Sequence, residues 1–162
     1  MNTIKGDLIE LAEAGYFDVI VHGCNCFCTM GSGIARTISD RYPQVYAADC
    51  KTRKGDEGKL NSFTFAEAGT DHKFVVVNAY TQVRYNQTRY RADLFEYDSF
   101  CAILDKLVLA FPGKRFGSPM IGMERAGGDK TRILNILSEF SVKLAATRGS
   151  VTLVEYDGVV NK

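Results

Sequence analysis

The sequence predicts a layered α/β domain, and three observations lead to this class. Segments rich in β-branched residues alternate with segments whose apolar residues recur at helical spacing. The apolar run at residues 73–80 is unbroken, as in a central strand that is buried on both faces. Glycine-bearing loops follow two of the apolar segments, and open α/β sheets bind ligands in such loops. The 162 residues, taken as 1–162, fit a single domain with one core.

The individual elements follow in chain order. β-branched content or alternation predicts strands at residues 2–5, 18–22, 63–68, 73–80 and 151–156. Helical spacing predicts helices at residues 9–14, 34–41, 45–50, 92–111 and 129–148. Pro112-Gly113 and Gly149 stand where the last two helices should end. Residues 115–121 then lead into a second glycine-bearing loop at 122–128.

The composition is that of an ordinary globular protein. Apolar residues make up 46% of the chain and charged residues 24%, and the net charge is +1. A general nucleic-acid binder would show a strong basic excess, so this class is excluded. No apolar run reaches the length of a membrane span, and the first residues lack signal-peptide character. We therefore expect a cytoplasmic monomer with five reduced cysteines and no membrane partner.

The most informative stretch is the loop after the strand at residues 18–22. His22 and Asn25 stand at the end of that strand, and Gly31-Ser32-Gly33 leads into the next helix. Glycines let the backbone approach a ligand, and free N–H groups at a helix start attract phosphate, so the pattern favours an anion-binding loop. An ordinary strand-to-helix turn remains the alternative. No Gly-Lys-Ser/Thr follows, as a P-loop requires, and Arg36 stands where a dinucleotide motif has its third glycine.

Three cysteines alternate beside this histidine, at Cys24, Cys26 and Cys28. A zinc site is one interpretation, but zinc ligands usually come in Cys-x-x-Cys pairs, and the two remaining cysteines stand alone. The other interpretation is that small, polarizable side chains pack beneath the ligand loop. We favour packing and predict no metal.

Two aspartates stand where helices should begin. Asp7 precedes the helix at 9–14, and Asp129 opens the helix at 129–148, so both are predicted to be helix caps. A capping carboxylate keeps its second oxygen free. Asp7 can therefore cap the helix and also accept a hydrogen bond from the amino group of a base.

Several motifs together resemble those of macrodomains. The stretches His22-Gly-Cys-Asn-Cys, Met30-Gly-Ser-Gly-Ile-Ala35 and Arg41-Tyr-Pro43 resemble the first ligand loop of that family. Lys5-Gly-Asp-Leu8, Tyr80-Thr-Gln82, Pro119-x-Ile-Gly122 and a last strand ending at Tyr156 follow in the family's order. The closest likeness is to the branch with ADP-ribose-1''-phosphate phosphatases and related ADP-ribosyl hydrolases. The resemblance implies a three-layer α/β/α sandwich with a central mixed sheet, an ADP-ribose cleft and no cofactor.

The resemblance also implies a role for individual residues. Asp7, with Leu8 beside it, would hold the adenine, Tyr156 would pack on the adenine, and Asn25 would lie near the distal ribose. The two loops around the diphosphate would be formed by Gly31, Ser32, Gly33 and Ile34, and by Met123, Arg125, Ala126 and Gly127.

The chain departs from the family's pattern at three positions. Glu124 stands where the second loop usually has glycine, and a carboxylate facing a diphosphate would repel it. We therefore expect Glu124 to point outward or to pair with Arg125. Ala126 replaces an aspartate of some hydrolases, and the nearest acid is Asp129. Gln82 lies near the position of a lysine that attacks the sugar in some family members.

Three functions fit these residues. The first is release of phosphate from ADP-ribose-1''-phosphate, with His22 as general acid/base beside Asn25 and with Asp129 orienting it or activating water. For His22 the alternative is a buried histidine with a structural hydrogen bond. The second function is removal of ADP-ribose from a protein, a nucleic acid or a signalling nucleotide. The third is a non-catalytic module that binds ADP-ribose.

Overall fold

A computed structural model describes residues 1–85, 94–123 and 126–157, which form one sheet with helices on both faces. The strands are Asn2–Gly6 (β1), Val19–Cys24 (β2), Phe63–Ala68 (β3), Phe74–Tyr80 (β4), Arg115–Ser118 (β5) and Ser150–Tyr156 (β6). The helices are Leu8–Glu13 (α1), Gly33–Arg41 (α2), Pro43–Cys50 (α3), Tyr97–Ala110 (α4) and Lys130–Ala145 (α5). A short 3-10 turn at Glu57–Lys59 precedes β3.

The strand order is β1-β6-β5-β2-β4-β3. Every neighbouring pair is parallel except β3 and β4, which form an antiparallel hairpin at one edge. The sheet is therefore mixed, and the fold class implied by the resemblance is confirmed. β4 lies inside the sheet between β2 and β3, in agreement with its unbroken apolar sequence.

Alternate strand residues belong to two different cores. Val19 and Val21 of β2 and Val77 of β4 pack with α4 and α5, whereas Ile20 and Val76 pack with α1, α2 and α3. Successive side chains of a strand point to opposite faces of a sheet, so the two cores lie on opposite sides. The result is three layers: α1–α3, the sheet, and α4–α5.

Two helices are shorter than the sequence predicts. The helix predicted from residue 92 begins at Tyr97, because Leu94 donates its N–H to the carbonyl of Ala126 and Glu96 donates to that of Thr81. These tertiary hydrogen bonds hold the preceding residues out of the helix. The helix predicted to reach residue 148 ends at Ala145. The other predicted elements are present, with ends shifted by a residue or two.

In the described ranges, no helix combines the length and the apolar character needed to cross a bilayer.

Candidate functional site

The loops that the sequence marks for ligand binding lie at one edge of the sheet. β1, β6, β5 and β2 are adjacent and parallel, so their carboxyl ends meet there. The helix after β2 packs on the α1–α3 layer, and the helix after β5 packs on the α4–α5 layer. A crevice opens where helices leave neighbouring parallel strands for opposite faces, and ligands of α/β sheets bind in that position. We call this crevice the cleft.

The cleft begins where the pairing of β2 with β5 stops. β2 pairs with β4 along its whole length, from Val19 to Cys24. It pairs with β5 only at Val19 and Ile20. Beyond Ile20 the two strands are no longer joined by a hydrogen-bonded ladder, and the first and second loops continue from their ends.

Asn25 organises the first of these loops. Its Nδ2 donates to the carbonyl oxygen of Thr29 at 3.1 Å and to the Thr29 hydroxyl at 2.8 Å. Its Oδ1 accepts the N–H of Phe27 at 2.8 Å, which makes an Asx-type turn. The Asn25 side chain is only 8% exposed. Its amide therefore holds the shape of the loop, and a contact with a ribose stays a prediction.

The glycine pair leaves open backbone at the start of α2. Gly33 has a φ of +59°, which glycine adopts without strain, and a Cβ added at Gly31 or Gly33 would meet no atom within 4 Å. Ser32 is the N-cap residue of α2, and Ile34 packs against the α1–α3 core. The first N–H groups of a helix have no acceptor within it, so this turn can offer donors to an anion.

His22 is buried and does not lie on the surface of the cleft. Its side chain is 1% exposed, and Nε2 donates to Oδ1 of Asn78 at 2.7 Å. Burial lowers the pKa of His22 to about 4, although the hydrogen bond to Asn78 opposes the shift. The imidazole is therefore neutral at pH 7. These contacts favour the structural alternative over the predicted role as general acid/base.

Asn78, the hydrogen-bond partner of His22, belongs to a series of hydrogen-bonded buried side chains, which we call the buried polar chain. Asn78 Nδ2 donates to the Thr64 hydroxyl at 3.1 Å, and that hydroxyl is 2.9 Å from the Tyr80 hydroxyl. Tyr80 in turn donates to Oδ1 of Asp49 at 2.7 Å. Burial raises the pKa of Asp49, while the bond from Tyr80 and the charge of Lys59 lower it. The buried polar chain links β2, β4, β3 and α3 beneath the first loop.

The cysteines beside His22 are free thiols that pack in this region. Cys24 and Cys26 are buried, and Cys28 is partly buried. Burial raises the pKa of Cys24, and raises that of Cys26 to about 11, so both are protonated at neutral pH. Lys59 lies 3.5 Å from the Cys28 sulfur. Within the described ranges, no group of three potential metal ligands comes together.

The residues assigned to adenine lie at the ends of β1 and β6. Asp7 caps α1, as predicted, because its Oδ1 accepts the N–H groups of Ile9 and Glu10 at 2.9 and 3.1 Å. Leu8 is buried in the α1–α3 core, and a contact of its side chain with adenine stays a prediction. Tyr156 is 54% exposed at the last position of β6, and it pairs in register with Gly6.

The second loop is closed by tight glycine packing. The N–H of Gly128 donates to the carbonyl of Gly122 at 2.8 Å. Gly122 has a φ of +76°, and an added Cβ would lie 2.5 Å from the Phe95 ring. These positions need glycine for the path of the loop itself. The sequence marked the glycines, but it gave no signal that Phe95 would pack against them.

The other residues of the second loop differ in their surroundings. Met123 packs against the α4–α5 core, Ala126 is buried, and Gly127 is exposed with a φ of +71°. Arg125 and Glu124 lie outside the described residues, so the predicted orientation of Glu124 stays a prediction. The loop approaches the first loop because β5 and β2 are neighbours.

Asp129 joins the second loop to α5. It is the N-cap residue, as predicted, and its Oδ1 accepts the N–H of Arg132 at 3.1 Å. Its own N–H donates to the Tyr97 hydroxyl at 2.8 Å. The guanidinium of Arg132 lies 3.8 Å from the centre of the Tyr97 ring. Asp129 is exposed and held in place by these contacts.

Thr81 is a buried residue directly after β4, for which the sequence indicated no role of its own. Its hydroxyl has no hydrogen-bond partner among the described residues. It lies 3.0 Å from the position of a Cβ added at Gly23, and Ile121 lies 3.3 Å from the same point. The hydroxyl thus lies where the first and second loops begin. A buried polar group of this kind normally has a water or ligand partner.

Solved structures identify the class of the fold. The macrodomain of Mycobacterium tuberculosis DarG matches with a TM-score of 0.71 and 17% sequence identity, over 94% of this chain and 95% of its own. Thermosipho africanus DarTG, solved in complex with ADP-ribose, matches with a TM-score of 0.73 and 13% identity, over 99% of this chain and 42% of its own. A Bacteroides thetaiotaomicron protein of unknown function matches with a TM-score of 0.74 and 22% identity, over 95% and 96%. The fold is the macrodomain fold, as the resemblance implied.

Sequence comparison identifies the family. No family model matches the chain. An uncharacterised 17.5 kDa protein of Enterobacteria phage T4, from the tk-vs intergenic region, is 35% identical over 148 residues, which cover 87% of this chain and 90% of the phage protein. The chain belongs to the family of this phage protein.

The buried His22 should make stability depend on pH. The pKa of His22 is lowered from 6.5 to about 4 in the folded state. Between these two pH values the unfolded chain therefore binds a proton at His22, whereas the folded chain does not. We expect the free energy of unfolding to fall by up to about 3 kcal/mol between about pH 6.5 and 4 from this group. Urea denaturation of wild type and His22→Gln across this range measures the difference, and His22→Gln should flatten the slope.

The second histidine supplies the control. His72 Nε2 lies 3.0 Å from the carbonyl oxygen of Phe17. His72 directly precedes β4, so it lies at the amino end of that strand, whereas the cleft lies at the carboxyl ends of the parallel strands. His72→Gln leaves His22 in place and should keep the part of the slope that His22→Gln removes. If His22→Gln has the wild-type slope, His22 is not buried in its neutral form.

Proposed function

We propose that this chain binds ADP-ribose in the cleft and releases phosphate from ADP-ribose-1''-phosphate. One positional observation carries the proposal. The residues that resemble the adenine, diphosphate and distal-ribose contacts of macrodomains follow β1, β6, β5 and β2, which are consecutive in the sheet. Along this edge of the sheet, the expected positions of adenine, diphosphate and distal ribose therefore come in the order in which these groups are joined in ADP-ribose. A protein of the same fold, Thermosipho africanus DarTG, is solved with ADP-ribose bound.

The dimensions and chemistry of the edge suit this ligand. Neighbouring strands lie about 4.8 Å apart, so the ends of β1 and β2 are separated by about 14 Å. At the adenine end, Oδ2 of Asp7 has no hydrogen-bond partner among the described residues and can accept from an amino group. At the diphosphate, the open backbone of Gly31 and Gly33 lies at the positive end of the α2 dipole.

The reaction we propose is attack of water on phosphorus with cleavage of the bond between phosphorus and the oxygen on C1'', which leaves as a hydroxyl by taking a proton from solvent. Asp129 is the candidate acceptor of the water proton, because its Oδ1 caps α5 and its Oδ2 has no partner among the described residues. Tyr97 and Arg132 hold Asp129 in position. Asn25 shapes the loop beside the distal ribose. His22 supports that loop from below and exchanges no proton with the substrate.

Binding without turnover, the third function named from the sequence, is the next candidate. Two observations favour it: His22 is neutral and buried, and the amide of Asn25 is bonded within its own loop. Removal of ADP-ribose from a protein, a nucleic acid or a signalling nucleotide has less support, because the lysine of the covalent mechanism is missing. Gln82 stands near the position of the attacking lysine, and its Nε2 donates to the carbonyl of Arg84 at 2.7 Å.

Calorimetry with ADP-ribose, followed by a phosphate-release assay on its 1''-phosphate, separates these candidates. We expect binding, and phosphate release that Asp129→Asn abolishes while the helix cap survives, because asparagine caps as well as aspartate. Binding with no phosphate release would leave a binding module. Absence of binding would contradict both readings of the cleft.

Asp7 should contribute separately to stability and to affinity. Asp7→Ser keeps an oxygen that can cap α1 but loses the second carboxylate oxygen, so we expect stability near wild type and ADP-ribose affinity weaker by roughly 1–3 kcal/mol. Asp7→Ala should lose the same affinity and about 1 kcal/mol of stability as well. Calorimetry and urea denaturation measure the two quantities.

A matched control is Asp56→Ser, since Oδ1 of Asp56 caps the 3-10 turn by accepting the N–H of Gly58 at 2.8 Å. Asp56 lies outside the cleft, so its replacement should leave ADP-ribose affinity unchanged. A folded Asp7→Ser protein with wild-type affinity would remove the adenine assignment.

Gly33→Ala should weaken ADP-ribose binding with the domain still folded. The added methyl meets open space, so the strain of its positive φ should destabilise by only about 1–2 kcal/mol. The methyl keeps phosphate from the backbone, and loss of one hydrogen bond to a charged group predicts at least about tenfold weaker binding. Gly113→Ala is the control, because Gly113 has a φ of +72° in the turn between α4 and β5, away from the cleft. Equal affinities in the two variants would make the glycine pair an ordinary turn.

A further inference from the structure

A second concave site lies beside the first loop. It is a cavity of about 470 Å³ lined by Phe27, Thr29, Lys54, Arg84 and Tyr85. None of these residues was assigned to ADP-ribose by the sequence. The volume falls within the range of about 300–1,000 Å³ that is usual for small-molecule sites.

Three separate segments form this cavity, and Cys26 joins them. The N–H of Cys26 donates to the carbonyl of Val83 at 3.0 Å, and the carbonyl of Cys26 accepts the N–H of Gly55 at 2.7 Å. These bonds fix the segments that carry Arg84 and Lys54 against the loop that carries Phe27. The arrangement of the lining residues is therefore set by main-chain hydrogen bonds.

The lining combines aromatic rings with cations. Phe27 and Tyr85 make an edge-to-face pair, with ring centres 6.2 Å apart at 76°, and Tyr85 is 61% exposed. Lys54 and Arg84 are both exposed and bring two positive charges to the lining. Among the described residues that line the cavity, none is acidic. In a chain with a net charge of +1, this is a local concentration of positive charge.

We propose that this cavity binds a nucleotide unit, with a base against Phe27 and Tyr85 and a phosphate against Lys54 and Arg84. Aromatic rings stack on any base, and lysine and arginine bind phosphate, so the two halves of the lining match the two halves of a nucleotide. The unit can be a free mononucleotide or one residue of a single strand. The earlier exclusion of a general nucleic-acid binder stands, because the net charge of the chain is only +1 and the described lining of the cavity holds two cations, enough for one unit.

The position of the cavity connects it with the cleft. Thr29 lines the cavity and also receives both hydrogen bonds from the Asn25 amide. The occupant would therefore lie next to the loop that we assign to the distal ribose. This relation rests on the proposed function, whereas nucleotide binding in the cavity does not.

The test uses fluorescein-labelled pentathymidylate as the probe, with binding measured by fluorescence anisotropy on the full chain. Two phosphate contacts in a single strand predict a salt slope of about −1.4, so affinity should fall about sevenfold between 50 and 200 mM salt. Lys54→Met should leave one phosphate contact and reduce that loss to about threefold. Tyr85→Leu should weaken binding about fivefold or more at any salt concentration, because it removes the stacking surface.

Matched controls come from exposed residues of the same types outside the cavity. Arg53→Gln removes a charge one position from Lys54, and Tyr16→Leu removes an exposed tyrosine beyond α1. Both should bind the probe as wild type does. Unlabelled thymidine monophosphate should displace the probe if one unit is sufficient. If only the strand competes, the occupant is a residue of a single strand.

Several results would overturn the proposal. Wild-type affinity in both Lys54→Met and Tyr85→Leu would do so, as would tighter binding of a phosphotyrosine peptide than of either nucleotide probe. Displacement of the probe by ADP-ribose, with loss of ADP-ribose affinity in the cavity variants, would make the cavity part of the cleft. ADP-ribose binding without probe binding would remove this inference alone. Probe binding without ADP-ribose binding would remove the proposed function alone.

Discussion

The pairing of β2 is the constraint on which the candidate site depends. β2 is paired with β4 over its whole length but with β5 at only two positions. β2 and β4 therefore stay hydrogen-bonded up to the edge of the sheet, whereas the ladder between β2 and β5 stops before it. The helices that follow β2 and β5 then pack on opposite faces. Two loops with different sequences thereby follow neighbouring strand ends. The cleft is a result of strand register and of the direction in which each helix leaves its strand.

The buried polar chain explains how the first loop is supported from below. His22 pairs in register with Asn78, and Asn78 pairs in register with Thr64, so three strands each contribute one polar group to a connected series. Tyr80 and Asp49 extend that series to α3. Leaving one buried member without its partner costs about 1–3 kcal/mol, so the groups hold each other in place. The hydrogen bond of His22 makes it part of this support, and its catalytic role stays a prediction.

The sequence was sufficient to predict the layered class, the order of the elements other than the four-residue β5, and the caps at Asp7 and Asp129, because periodicity and capping chemistry are local. It did not predict the start of α4, since that boundary depends on hydrogen bonds from Leu94 and Glu96 to distant segments. Burial of His22 is also non-local. The residue ends a strand, and nothing nearby in sequence shows that Asn78 lies opposite. The cavity was missed for the same reason, because its walls come from three segments.

The position of β6 has a consequence for how the chain is made. β6 lies between β1 and β5, so Asn2 at the start of the chain pairs with Thr152. During synthesis, β1 emerges before β6, which is its one partner among the described strands. At about 5–20 residues per second the wait is on the order of ten seconds. β1, with the aspartate that follows it, therefore stays without this partner strand until β6 has been made.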